Sequence, residues 1–407
     1  MDPVQINIRT ISPILVPIEL KTGVDRSSAS YFEFQSLIHN EFKSDILPRL
    51  PENKIEYESI EKDSWNHELF TWHDKELAPN LLIHIFPNNI AVATIDHIFE
   101  YAGDSKMLEE LVQKVTTQVI KEVYPSFFEF LKKISHKKHG DYFRFDQYAL
   151  DKAEIFWISR TILTNSKALA VPLIQTLTTD WLAHTYRPED AQDLLAGRKN
   201  FSMTWLNYIV VDLEKDSDER LESMILAQYY YAAQENCNKL LKQAIDAAYN
   251  GKKKNEAEQK LSRSRVNSRL HQVDYHEHLK YLTRSKRKFL EDILSCWNYE
   301  QITENGQRMI EICSSKIDET ENIKRERSSL LTDLLLVALS FFTVFELSLY
   351  LTELSREMMS RPTLDFNDDS RSFILQFIAE IDVDVMFGSG FFLTLLLVFI
   401  YKIIKSR

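Results

Sequence analysis

Asp333 and Glu346 stand within an apolar stretch, LTDLLLVALSFFTVFELSLYL, that covers residues 331–351. A stretch of this length and hydropathy is typical of a helix that crosses a membrane. Carboxylates inside such helices cost free energy, and they usually face the interior of a helix bundle or a water-filled path. The two acids therefore predict a pore rather than a purely lipid-facing anchor.

The candidate pore-lining residues are Ser329, Asp333, Ser340, Thr343 and Glu346. At 100° per residue, the two serines and the threonine lie within about 80° of Asp333, whereas Glu346 lies about 140° away. We expect Glu346 to meet a neighbouring helix or the outer boundary. In the alternative interpretation, the Asp333 carboxylate reaches the cytosolic interface one turn away.

A hydrated path of this kind requires several copies of the chain, because two helices cannot enclose water. We therefore expect an oligomer with the first span around its axis. Rings of Asp or Glu are common selectors in cation channels. A divalent cation is expected only as a permeant or regulatory ion, and the sequence indicates no other cofactor and no metal site.

A second apolar stretch covers residues 385–401 without a charge, and it can extend to residue 404 past Lys402. We interpret 329–352 and 385–404 as two membrane spans, with a buried core helix as the alternative for the second. Basic residues flank the same side of both, namely Lys324, Arg325 and Arg327, then Lys402, Lys405 and Arg407. The positive-inside rule predicts a multi-pass protein of the inner (cell) membrane with cytosolic termini, including the tail 405–407.

The connection between the spans, residues 353–384, is acidic. Carboxylates at an outer mouth would concentrate cations there. The candidates are Asp365, Asp368, Asp369, Asp382 and Asp384. Within this connection, SFILQFIAEI predicts a short helix on the outer surface.

Strand-like and helical patterns interleave over residues 1–215, which predicts a cytosolic α/β domain. Runs of β-branched and apolar residues predict strands at 4–20 and 153–164, and a hairpin at 81–99. Between them, two helices broken at Pro125 are expected.

The pattern from 216 to 328 is helical, so the fold class is α+β. One helix is predicted over 217–250 and a second up to about Tyr299. A third is expected to begin near Arg308, after a turn, and to continue into the first span without a break.

Composition excludes several classes. Eight glycines and no phosphate-binding glycine motif argue against a Rossmann or P-loop enzyme. No hydrolase arrangement of Ser/His/Asp or Cys/His is evident, so no catalytic residue is proposed. The net charge of −11 argues against stable binding of nucleic acid. The three cysteines have no metal-site spacing and are expected to be reduced. No secretory signal sequence is evident at the N-terminus.

Candidate ligand-binding residues lie in two places. Arg160, Trp205 and Asn207 adjoin apolar strands, where a pocket could form; a buried ion pair and an edge aromatic are the alternative. Arg263, Arg265 and Arg269 belong to a stretch, 252–288, with twelve basic and four acidic residues. That stretch could bind phosphates, or it could be the solvated face of a long helix. Its histidines match no zinc pattern.

The overall layout resembles the CorA family of membrane channels. LIHIFPNNIAVATIDH resembles the N-terminal hairpin of that family, and ETENIKRERSSLLTDLLLVALSFFTVF resembles its transition from stalk to membrane. The resemblance implies a homopentamer that conducts Mg²⁺ or related ions, with the first span lining the pore. The family's Gly-Met-Asn signature is missing, because YLTELSREMMSRP follows the span.

A divergent CorA-like branch accompanies type III CRISPR systems, and its members answer a nucleotide second messenger, S-adenosylmethionine joined to AMP (SAM-AMP). This chain is similar in lacking the signature and in having a large cytosolic domain. The resemblance therefore implies a ligand-gated antiviral effector. A divalent-cation transporter and a membrane-tethered binding scaffold remain the alternatives.

Overall fold

The structure is a computed structural model that describes residues 3–21, 24, 29–47, 68–136, 142–145, 152–183, 189–213, 219–250, 254–360 and 373–406. The chain is a mixed α+β protein, as predicted. It divides into two compact units, Met1–Ser315 and Lys316–Arg407.

The first unit is built on one mixed sheet, which has nine strands within the described ranges. The strands are β1 (Val4–Leu20), β2 (Phe70–Asp74), β3 (Ala78–Ile85), β4 (Asn88–Tyr101), β5 (Phe143–Phe145), β6 (Glu154–Ile155), β7 (Ser159–Thr164), β8 (Phe201–Met203) and β9 (Asn207–Val211). Their order is β2-β3-β4-β1-β7-β9-β8, and β5 and β6 also pair with β1. Only the β7–β9 pair among them is parallel. The predicted strands at 4–20 and 81–99 are confirmed, and 153–164 forms β6 and β7.

The central strand β1 tolerates two prolines for local reasons. Pro13 pairs with Val92 in β4, and its carbonyl accepts a hydrogen bond from the Phe156 amide. Pro17 coincides with a shift of register between Leu15 and Glu19. Proline cannot donate to a sheet ladder, so a local irregularity is where it fits.

Both faces of the sheet are covered, as the alternation of side chains along β9 shows. Tyr208 and Val210 pack on one side, in a core that also contains Tyr229 and Leu290. Ile209 and Val211 pack on the other side, in a core with Trp181 and neighbouring helical residues. A strand whose two faces are both buried has apolar residues at nearly every position. The sequence NYIVV of β9 has this pattern.

The helices on the side of Ile209 are α1 (Ala29–Glu41), α2 (Ser105–His136), α3 (Pro172–Trp181) and α4 (Glu189–Leu195). The prediction of two helices broken at Pro125 is wrong, because α2 is one helix with the proline inside it. Tyr124 and Phe127 on either side of the proline are buried in the core. Their burial offsets the backbone hydrogen bond that proline removes.

The other helices of this unit are α5 (Glu219–Asn250), α6 (Lys254–His278) and α7 (Arg284–Cys296), followed by α8 (Tyr299–Ser360), which continues into the second unit. The expected second long helix is two helices, since Thr283 accepts a hydrogen bond from the Lys286 amide and caps α7. The expected turn before Arg308 is also wrong. Asn298, with φ of 53°, ends α7, and α8 begins directly after it.

The second unit contains the rest of α8 together with α9 (Phe373–Glu380) and α10 (Val383–Ser406). The predictions of an uninterrupted helix through the first apolar stretch and of a short helix at SFILQFIAEI are confirmed.

Replacement of Pro125 by alanine should stabilise the protein. The proline is exposed, and alanine restores the missing backbone hydrogen bond, which predicts a gain of about 2 kcal/mol in the free energy of unfolding. The thermal midpoint of the full chain in detergent should rise by a few degrees. Lys114→Ala, at an exposed position of the same helix, should leave it nearly unchanged, and an unchanged midpoint in P125A would show that α2 accommodates the proline at no cost.

Candidate functional site

The apolar part of α8 is the main candidate site. Among the described residues, one helix, within Tyr299–Glu357, is long and apolar enough to cross a membrane. That is weak evidence by itself, but nearly all of the apolar window is exposed, unlike a core helix of a soluble protein. Large apolar side chains are exposed all along it, including Leu331, Leu335, Leu339 and Phe342.

One side of α8 packs against α10. The Phe341 ring lies 5.3 Å from Phe387 and 5.4 Å from Phe391 between centroids. The helices approach so closely at Gly390 that a Cβ there would lie 2.5 Å from Val344 Cγ1. Glycine therefore sets the separation of the two helices at this point.

Because one side of α8 packs on α10, the candidate pore-lining residues differ in their exposure. Ser329 and Asp333 are half-buried, whereas Ser340, Thr343 and Glu346 are exposed. The Thr343 hydroxyl donates to the Leu339 carbonyl at 2.9 Å. Glu346 lies about 140° around the helix from Phe341, so α10 leaves its side of α8 uncovered.

The spacing of the two acids constrains their depth. Thirteen residues of helix separate Asp333 from Glu346, which is about 20 Å at 1.5 Å per residue. The hydrocarbon core of a bilayer is ~30 Å thick. If α8 crosses a bilayer, the two carboxylates cannot both lie at its boundaries, and tilt only shortens their vertical separation. At least one of them then needs water or a polar partner inside the membrane.

The predicted acids of the outer mouth are only partly described. Asp365, Asp368 and Asp369 lie outside the described residues. Asp382 and Asp384 are exposed at the start of α10, where the Asp382 carbonyl accepts hydrogen bonds from the Val385 and Met386 amides.

Arg160 and Asn207, by contrast, are brought together by the parallel pairing of β7 with β9. Both meet Glu109 of α2, with Arg160 Nη1 at 3.3 Å from one carboxylate oxygen and Asn207 Nδ2 at 2.7 Å from the other. The guanidinium lies over the Trp181 ring at 5.8 Å. Burial lowers the pKa of Arg160, and the nearby Glu109 opposes that shift. Protein groups therefore already compensate this cation.

The other predicted ligand residues lie elsewhere. Trp205 is 42% exposed and packs against Tyr231 and Trp297. Arg263 is paired with Glu19, and Arg265 donates to Ser314 at 3.3 Å. Arg269 is exposed on α6. The six residues do not form a single site.

Sequence reasoning missed a buried polar network beneath α6. The Asn88 amide lies 3.0 Å from both the Tyr229 hydroxyl and His271 Nδ1. Nearby, the Tyr230 hydroxyl is 2.6 Å from His278 Nδ1. The HxxxxxxH spacing, two turns of a helix, was the available signal, because it places both histidines on one face. Burial lowers the pKa of His271 to about 4, so it is neutral at pH 7.

The described part of the chain contains no group of three or more His, Cys, Asp or Glu residues that could hold a metal ion. The comparisons with known proteins add no relative: no family model, no curated protein and no solved structure matches this chain at a significant level.

Removal of Glu109 should destabilise the first unit. Glu109→Ala leaves the Arg160 guanidinium buried without its carboxylate, which predicts a loss of roughly 2 to 3 kcal/mol in the free energy of unfolding, reduced by the partial exposure of Glu109. Thermal unfolding of the full chain should show the loss, and the added change Arg160→Met should recover most of it. If E109A unfolds like Glu110→Ala, an exposed control on the same helix, the ion pair does not stabilise the fold.

The buried His271 should make stability depend on pH. Its pKa is about 4 in the folded chain against an ordinary value of 6.5, so the unfolded chain takes up the proton first as pH falls. Above pH 6.5, the neutral imidazole makes its full contribution to the free energy of unfolding. That contribution declines as the pH falls to 4, by up to about 3 kcal/mol. Thermal midpoints should show the difference between wild type and His271→Gln shrinking over this window. The exposed His276→Gln should track wild type, and a pH-independent difference for H271Q would contradict the assignment.

Proposed function

We propose that this protein is an oligomeric membrane channel controlled by its soluble first unit. The observation that carries the proposal is the spacing of Asp333 and Glu346 in an exposed apolar helix, since one of these carboxylates must lie within the hydrocarbon thickness. An assembly of several copies around an axis, a homopentamer by the CorA resemblance, would supply the water and the polar neighbours that the carboxylate needs.

In this proposal, the side of α8 that α10 leaves uncovered faces the axis. Glu346 and Thr343 are exposed on it, and a ring of glutamates from several copies would attract cations and repel anions. The half-buried Asp333 lies at the cytosolic end, where it would act either in the path or at the contact with α10. The proposed topology has two spans per chain and both termini in the cytosol, because basic residues precede α8's apolar part and follow that of α10.

The control of the pore is the finer part of the proposal, and the family resemblance supports it. The missing Gly-Met-Asn signature favours a pore opened by a ligand, such as the SAM-AMP messenger of type III CRISPR defence, over a constitutive divalent-cation transporter. The basic side chains that α6 exposes to solvent, such as Lys260 and Arg269, are the candidate contact for the phosphate of such a ligand.

Ion flux in proteoliposomes tests the proposal. Vesicles with the purified full chain, loaded with Mg²⁺- or K⁺-sensitive dyes, should conduct little until SAM-AMP is added. Glu346→Gln should then reduce the cation flux several-fold, because the ring of charge is lost, and Asp333→Asn should reduce it if Asp333 lies in the path. As a control, Glu326→Gln removes a charge at an exposed position just before the apolar part of α8. This variant should conduct like wild type.

The other outcomes select the alternatives. Spontaneous Mg²⁺ uptake without any nucleotide would identify a divalent-cation transporter. Silence under every condition, with the protein firmly embedded in the vesicles, would favour a membrane-tethered scaffold. Flux that is identical in E346Q, D333N and wild type would exclude a path along these carboxylates.

A further inference from the structure

The short helix α9 presents an apolar surface that the described part of the protein leaves uncovered. Phe373 is 81% exposed, Ile374 68% and Phe377 58%. The Phe373 and Phe377 rings stack at 6.5 Å between centroids, which forms a continuous aromatic surface. An exposed apolar cluster of this kind on so short a helix indicates a surface that contacts another apolar phase.

The polar side chains of α9 form a narrow strip that is flanked by Phe373 and lies opposite Ile374 and Ile378. Gln376 Nε2 donates to Glu380 Oε1 at 3.0 Å, one turn further along the helix. Ile374 lies about 160° around the helix from Gln376. The helix therefore has a wide apolar side and a narrow polar side, which is the pattern of helices that lie in the plane of a membrane surface.

The chain connection fixes where this helix can lie. Only residues 381 and 382 separate the end of α9 at Glu380 from the start of α10 at Val383. Three Cα steps reach no further than about 11 Å. If α10 crosses the membrane, α9 must lie at the level where that span begins, beside the exposed carboxylates Asp382 and Asp384.

We propose that α9 lies in the outer leaflet of the bilayer, parallel to its plane, with Ile374 and Phe377 among the upper acyl chains and the Gln376–Glu380 strip towards water. The proposal rests on the proposed function only in that it requires α10 to span the membrane. Its consequence is positional, because the helix holds the acids at the start of α10 at the height of the headgroups. A second copy of the chain covering the same surface is the competing occupant.

Quenching by brominated lipid tests the orientation of α9. The full chain is reconstituted into phosphatidylcholine vesicles with and without bromine on the upper acyl chain, as wild type, as Ile374→Trp and as Gln376→Trp. All six native tryptophans precede residue 298, so they give the same background in every sample. We expect bromine to quench the added fluorescence of I374W at least twofold more than that of Q376W, and we expect the emission of I374W to be shifted to shorter wavelength.

Two results would overturn the inference. If neither variant is quenched, α9 lies in water or against another protein surface. Equal quenching in both would mean that the helix is immersed rather than interfacial. An alkaline wash of the same vesicles separates this failure from that of the proposed function. If the protein stays with the vesicles, the proposal of membrane spans still holds. If the protein is released, the result contradicts the spans themselves.

Discussion

A charge removed from water needs a partner, and this constraint shapes both units of the protein. In the first unit, Arg160 on a buried strand is matched by Glu109 from α2 and by the face of Trp181. In the second unit, two carboxylates interrupt an apolar helix at a spacing shorter than a membrane is thick. The charge of Arg160 is compensated within the chain, whereas a carboxylate of α8 would need water or a polar partner if that helix crossed a bilayer.

The long helix α8 connects these two parts of the chain. A helix satisfies its own backbone hydrogen bonds, so it can leave a packed core and enter hydrocarbon without exposing unpaired groups. Its first turns pack closely in the first unit, where a Cβ at Gly306 would lie 2.6 Å from the side-chain amides of Gln234 and Asn238. Its later turns pack on α10 at another glycine, Gly390. A change at either contact would act on the same continuous helix.

The first unit combines a packed interior with exposed basic side chains on α6 and α7. The buried histidines bond to Asn88 and Tyr230, and the cysteines Cys237 and Cys313 are buried free thiols. Some exposed basic side chains of α6, such as Lys260 and Arg269, form no ion pair with the residues that the structure describes.

The sequence by itself determined the elements whose patterns are local. Apolar runs located β1, the β3–β4 hairpin and the part of α8 from Arg308 through the apolar stretch, and the SFILQFIAEI segment located α9. It also located the two carboxylates, because a charge inside a long apolar run is visible without any structure. Tertiary packing decided the rest. It carried α2 through Pro125 because Tyr124 and Phe127 are buried on either side, and it joined Arg160 to Asn207 through a parallel strand pairing that no spacing reveals. It also placed Asp333 and Thr343 in different surroundings, since a helical projection shows which residues share a face but not which part of that face α10 covers.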